Sequence, residues 1–288
     1  MENVLRSTRI TLEMIKWEHS IFALPFALTG AVLAANGWPS GRTLLWIVVC
    51  MVTARSAAMA FNRLADAKLD ADNPRTAMRA LPAGQLSQTF VLSFTVLASG
   101  IFLLSAAMLN RLTLELAPVA LAVVLLYSYM KRITRWSHVV LGLALGIAPS
   151  AAWIAVRGSL SPRIIVLTAI VILWVGGFDV LYACQDFEHD RRAGLNSVPQ
   201  AFGLEAAFWI VRAMHLGMVM LLFWFAHLFG LGGIALGGFG VVAALLAYEH
   251  SIISPRDLRR MNAAFFTLNG VISVVFFAAV ATDVFYRR

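Results

Sequence analysis

Nine apolar stretches, each close to the roughly 20 residues that cross a bilayer as a helix, run through this sequence. They lie at about 19–36, 44–65, 87–109, 112–130, 138–157, 163–188, 205–229, 231–249 and 262–284. In hydrocarbon, each backbone N–H and C=O needs a partner within the protein. The pattern therefore predicts an all-α integral membrane protein, a bundle of nine transmembrane helices around a central cavity. The breaks carry Gly, Pro or charge, as at Gly37-Trp38-Pro39, Asn110-Arg111 and Ser254-Pro255. Only 13% of residues are charged, against about 25% in soluble domains. The length suits one domain over 1–288. Residues 1–17 mix apolar and charged side chains and read as a short interfacial segment. Val32-Leu33-Ala34 resembles a signal-peptidase site, but the spans that follow favour a retained first span.

The net charge of +8 speaks to topology. With the N-terminus inside, 15 Lys and Arg fall on inner loops and 6 on outer ones. That places 62–87, 127–135, 186–197 and 254–260 on the cytoplasmic side of an inner (plasma) membrane. Arg287 and Arg288 then lie outside, against the trend. The lipid bilayer is a partner. Nucleic acid is not, since no basic patch is interleaved with exposed aromatics. Cys50 and Cys184 lie in apolar segments and read as small hydrophobes, without a disulfide or zinc.

Of eight aspartates, six fall in two short stretches. Asn62, Asp66 and Asp70 are spaced four apart, within an arc of roughly 80° on one face of a helix. Arg75 and Arg79 follow, then Leu81-Pro82-Ala83-Gly84. Asp179, Asp186 and Asp190 fall within about 40° of one another on a helix. Both stretches end even-numbered spans, so both face the same side. Carboxylates this close repel unless a cation joins them. Magnesium suits, because it takes one or two carboxylates and accepts phosphate oxygens. Arg75, Arg79 and Lys131 can bind the rest of a polyphosphate. A magnesium-bound diphosphate above an apolar bundle implies a diphosphate head with a hydrocarbon tail, a prenyl diphosphate.

The residues from Asn62 to Gly84 resemble the first motif of the UbiA family of intramembrane prenyltransferases. Those from Asp179 to Gly194 resemble the second, and Tyr127-Ser128-Tyr129-Met130-Lys131-Arg132 the Tyr-x-x-x-Lys element between them. The resemblance implies that Asn62, Asp66, Asp70, Asp186 and Asp190 bind Mg2+, and that Tyr127 and Lys131 contact the diphosphate. It implies a polyprenyl diphosphate donor and an aromatic acid acceptor. The family motif often begins Asn-Asp; here Arg63 follows Asn62. The stretch from Lys16 to Phe26 resembles a 4-hydroxybenzoate polyprenyltransferase-like branch. Its acceptor is 4-hydroxybenzoate in ubiquinone biosynthesis or, alternatively, a (di)hydroxynaphthoate in menaquinone biosynthesis.

Asp179, deeper than Asp186, is a candidate for the acceptor hydroxyl or the ring proton; its alternative is a structural hydrogen bond. Arg55 lies seven residues, about 10 Å, deeper than Asn62. It is expected to bind the acceptor carboxylate, with Arg132 assigned beside it; its alternative is a salt bridge to Asp179. Glu188 and His189 read as solvated and Asp72 as a turn cap. His138, His215, His227 and His250 have no ligand spacing and are expected at the interface. His19 is a helix-start or substrate residue. Trp174, Phe178, Phe223 and Phe225 are expected to pack or face lipid. Two other classes were weighed. An ion-coupled transporter also keeps acids in spans, usually near the midplane. An intramembrane aspartyl protease needs a second deep aspartate, which the sequence lacks.

Overall fold

The structure, a computed structural model, describes residues 2–16, 20–261 and 267–287. His19 and the opening residues of the ninth expected span lie outside them. Among the described residues every long element is a helix. In chain order these are α1 (Glu2–Ile15), α2 (Ser20–Ala35), α3 (Gly41–Ala65), α4 (Ala67–Asp72), α5 (Gln88–Ala107), α6 (Arg111–Leu126) and α7 (Met130–Ile133). Then come α8 (Ser137–Arg157), α9 (Pro162–Ala183), α10 (Phe187–Ala193), α11 (Val198–Phe202), α12 (Leu204–Phe229), α13 (Gly233–Ile252) and α14 (Asn269–Tyr286).

Eight helices are long and apolar enough to cross a membrane. The first expected span is α2, whose 16 residues reach about 24 Å. That is short of the hydrocarbon thickness, so the structure does not establish nine full spans. Side chains and glycines set the helix ends. Ser40, Ser87 and Asn110 accept hydrogen bonds from Thr43, Phe90 and Thr113 N–H at 3.0–3.2 Å, capping α3, α5 and α6. Gly158 and Gly230, at φ 68° and 59°, stop α8 and α12.

The most buried span is α9, held between α8 and α12. Gly142 and Gly146, one turn apart on α8, let the two backbones meet; a Cβ on Gly142 would strike the Ile172 carbonyl. Trp174 on α9 is fully buried and bonds Asn269 Oδ1 through Nε1 at 2.8 Å. Around it pack Phe26, Phe178, Phe225, Phe239 and Phe276. Trp174, Phe178 and Phe225 are therefore packing residues, whereas Phe223 stays exposed. At the other end of the chain, α1 rests Met14 and Ile15 against Ala60 and Val91.

Neither acidic stretch is a continuous helix, contrary to the single-face expectation. The α3 helix stops at Ala65; Asp66, at φ −100° and ψ 7°, ends it and precedes α4. The α9 helix stops at Ala183, and a 3₁₀ turn over Cys184–Asp186 leads to α10. Such a turn advances about 120° per residue, which turns Asp186 relative to Asp179.

Candidate active site

Both acidic helix ends open on one cavity of about 1150 Å³. Its mouth is lined by Asn62, Arg63, Asp66, Asp70, Arg75, Arg79, Tyr127, Lys131, Arg132, Asp186 and Asp190. Deeper, Ile47, Met51, Ala54, Phe102, Leu116 and Leu145 make an apolar wall that Arg55 and Asp179 interrupt.

Each carboxylate at the mouth meets different partners. Asp66 accepts from Asn62 Nδ2 at 2.9 Å and from Arg132 Nη2 at 2.8 Å. The same Arg132 nitrogen bonds Ala65 O at 2.7 Å, where α3 leaves its last carbonyls open. Arg132 thus meets Asp66 at the mouth; it does not join Arg55. Asp70 accepts from Arg79 at 2.7 and 2.8 Å and faces buried Arg63 at 3.9 Å. Asp186 is clamped by Arg75, with Nε at 2.8 Å and Nη2 at 2.5 Å, and by Asn73 Nδ2 at 3.2 Å. Arg75 also reaches Tyr182 Oη at 3.1 Å. Asp190 is almost fully buried, and its Oδ2 has no hydrogen-bond partner among the described residues. The Lys131 ammonium lies among the charges of Asp190, Asp179, Asp186 and Asp66.

Burial lifts the Asp66 carboxyl above the usual range, although Arg132 pulls it down. For Arg75, burial acts to lower the guanidinium, but the hydrogen bonds and charge of Asp186 outweigh it and raise it, so it stays charged.

Two groups lie deeper. Asp179 Oδ2 is 2.7 Å from His138 Nδ1, which joins α9 to α8. No ion pair joins Asp179 to Arg55 among the described residues. Instead, Arg55 Nε is buried with no hydrogen-bond partner among the described residues. A half-buried guanidinium with an unsatisfied Nε, facing a cavity, suits an incoming carboxylate. His138 is buried at the start of α8, while His215 is buried in mid-span and bonds His250 at 3.0 Å, which corrects the interfacial expectation for His215. Glu188 is exposed, as expected, while His189 lines the cavity. Asn73 and His138 had no spacing that marked them in the sequence. Arg63 was marked only as a departure from a motif.

The donors at the mouth are all oxygens, which matches magnesium. Among the described residues, no three acids, histidines or cysteines are grouped closely enough to enclose a metal. An ion here would need further oxygens from elsewhere, as from a diphosphate. The orphaned Asp190 Oδ2 is the kind of buried oxygen such an ion would satisfy.

A model of the UbiA prenyltransferase family matches residues 23–271. The chain belongs to the UbiA prenyltransferase family. Within it, the 4-hydroxybenzoate octaprenyltransferase of Vibrio cholerae is 33% identical over 256 residues, 88% of each chain. That of Aliivibrio fischeri is 33% identical over 91% of this chain and 92% of its own. The apo structure of a UbiA homologue from Aeropyrum pernix is 32% identical, with a TM-score of 0.84 over 92% of this chain and 98% of that one. A UbiA homologue from Archaeoglobus fulgidus bound to DMAPP and Mg2+ shares the fold, at 20% identity and a TM-score of 0.75 over 95% and 98% of the two chains. As a UbiA member, this chain is a prenyl-transferring membrane enzyme, and nothing supports a transporter.

Proposed function

We propose that this enzyme moves a polyprenyl group from its diphosphate to a ring carbon of 4-hydroxybenzoate, ortho to the hydroxyl. The observation that carries the reading is one cavity with two carboxylate pairs at its mouth and an unpartnered Arg55 below them. The names of the octaprenyltransferase relatives support the acceptor. The Mg2+ and DMAPP in the Archaeoglobus homologue support the metal and the donor.

Asp66, Asp70, Asp186, Asp190 and Asn62 would hold Mg2+, which supplies positive charge to the diphosphate as it leaves. Arg75 and Arg79 have partly exposed side chains, so they can turn from their carboxylates to phosphate oxygens. Lys131 and Tyr127 line the same mouth and complete the diphosphate contacts. The allylic C–O bond breaks, and the apolar wall keeps water from the cation. Arg55 pairs with the acceptor carboxylate and aims the ring. Asp179 receives the ring proton once the new C–C bond has formed. Arg132 holds Asp66 in place.

Membranes carrying the protein, given magnesium, a labelled prenyl diphosphate and either 4-hydroxybenzoate or dihydroxynaphthoate, test the proposal. Prenylated 4-hydroxybenzoate is expected. Prenylation of the naphthoate alone would replace the acceptor. No prenylated product from either would overturn the reading. The mouth is proposed to face the cytoplasm. Met78 in its loop is 79% exposed, so Met78→Cys should label from the inside of oriented vesicles. Labelling from the outside only would reverse the topology.

A further inference from the structure

His138 opens α8, is fully buried and lies behind Asp179, outside the cavity lining. Its Nε2 accepts the Val198 N–H at 3.3 Å. A ring nitrogen that accepts carries no proton, so in this imidazole the proton is on Nδ1. The Nδ1–H therefore donates to Asp179 Oδ2 at 2.7 Å. One backbone amide fixes the tautomer, and the tautomer fixes the carboxylate. The same run of backbone reaches the mouth. Leu195 N–H donates to Asp190 O at 2.9 Å and Asn196 N–H to Lys131 O at 2.7 Å, while Ser197 Oγ caps α11 at Gln200 N–H.

We propose that His138 is a positioning residue that holds Asp179 oriented to take the ring proton. The inference rests on the proposed aromatic prenyl transfer. In that step the allylic carbon leaves the diphosphate oxygen, which keeps the electron pair, and bonds to the ring carbon. The hydrogen on that carbon passes as a proton to Asp179, and the C–H electron pair restores the aromatic ring. His138 keeps its own proton throughout. With Oδ2 bound to the imidazole, Oδ1 is left for the proton.

The test compares acceptor carrying hydrogen or deuterium at the ring positions ortho to the hydroxyl, using the full-length protein. In the wild type, bond making is expected to be the slower step and proton loss to follow it. His138→Leu should lower kcat by about tenfold or more and raise the deuterium isotope effect above the wild-type value. The KM for prenyl diphosphate should not change. Asn can place an amide N–H near the position of Nδ1, so His138→Asn should recover most of kcat and lose the added isotope effect. A folded His138→Leu protein with wild-type kcat, or slowed with no added isotope effect, would overturn the proposal. Asp179→Asn separates it from the reading beneath. An isotope effect in Asp179→Asn alone keeps Asp179 as base and removes His138. Full activity of Asp179→Asn removes both.

Discussion

At the end of α3, Asp66 rests at φ −100° and ψ 7°; before α10, Asp186 rests at φ −97° and ψ 6°. Each lies in the sparsely allowed bridge between the helical and extended regions. Each is followed four residues later by a second aspartate, and each break re-aims a helix end at the cavity. The two ends differ in how their charge is met. Asp70 is met by Arg79 and Arg63 of its own stretch, and Asp66 by Arg132 from α7. Arg63 is fixed, with a side chain only 8% exposed. At the second end, Asp186 borrows Arg75 and Asn73 from the loop after the first, and Asp190 Oδ2 goes unpartnered. Lys131 opposes the Asp190 charge, but the buried oxygen left without a hydrogen bond makes this end, on the proposed function, the more dependent on an added cation. On the proposed function, the first end anchors the mouth and the second takes the ligand.

That contrast orders the expected losses. Asp190→Ala and Asp186→Ala should each lower kcat/KM by about 10³-fold, with little change in the thermal unfolding midpoint. Asp66→Ala and Asp70→Ala should each cost about 10²-fold, because the carboxylate oxygen that lacks a hydrogen bond lies at the other end. Equal losses at all four positions, measured under saturating acceptor, would erase the difference between the ends.

Beneath both ends, Arg55→Leu should raise the acceptor KM by about 10- to 100-fold, the worth of a charged hydrogen bond of roughly 1.5–3 kcal/mol. The prenyl diphosphate KM should hold. Steady-state kinetics with each substrate varied in turn decide it; unchanged KM for both would remove Arg55 from the acceptor site.

A smaller effect concerns pH. On the proposed function Asp66 acts as the anion, so activity should fall as pH drops through its raised pKa. Arg132 opposes the lift that burial imposes. Arg132→Leu should therefore move the acid limb of the kcat/KM profile to higher pH. A limb that stays in place would show that Asp66 does not limit the rate there. The smallest effect is expected at Glu188, which is exposed between the two aspartates of the second end. Glu188→Ala should change kcat/KM by less than about twofold, since such surface changes rarely exceed 0.5 kcal/mol.

The bundle was legible because hydrocarbon permits so few backbone solutions. The expected span at 138–157 is α8, Ser137–Arg157, and the one at 205–229 is α12, Leu204–Phe229. Arg55 was legible for the same reason, since a cation within an apolar helix must face the interior. The breaks at Asp66 and Asp186 were not, because an i, i+4 pattern looks alike on a straight helix and a broken one. The pairings were hidden as well. His138 and Asp179 are 41 residues apart, and Arg75 and Asp186 are 111 apart, so no local spacing joins them. Arg63 could be read only as a departure from a motif until its place beside Asp70 gave it a physical role.

The central claim is that the aspartates at the two helix ends hold the diphosphate through magnesium. Equilibrium binding of a labelled prenyl diphosphate to the purified protein, with magnesium or with EDTA and without acceptor, tests it most directly. Binding should require magnesium in the wild type and be lost in Asp190→Ala even when magnesium is present. Equal affinity in EDTA, or wild-type affinity in Asp190→Ala, would contradict the account.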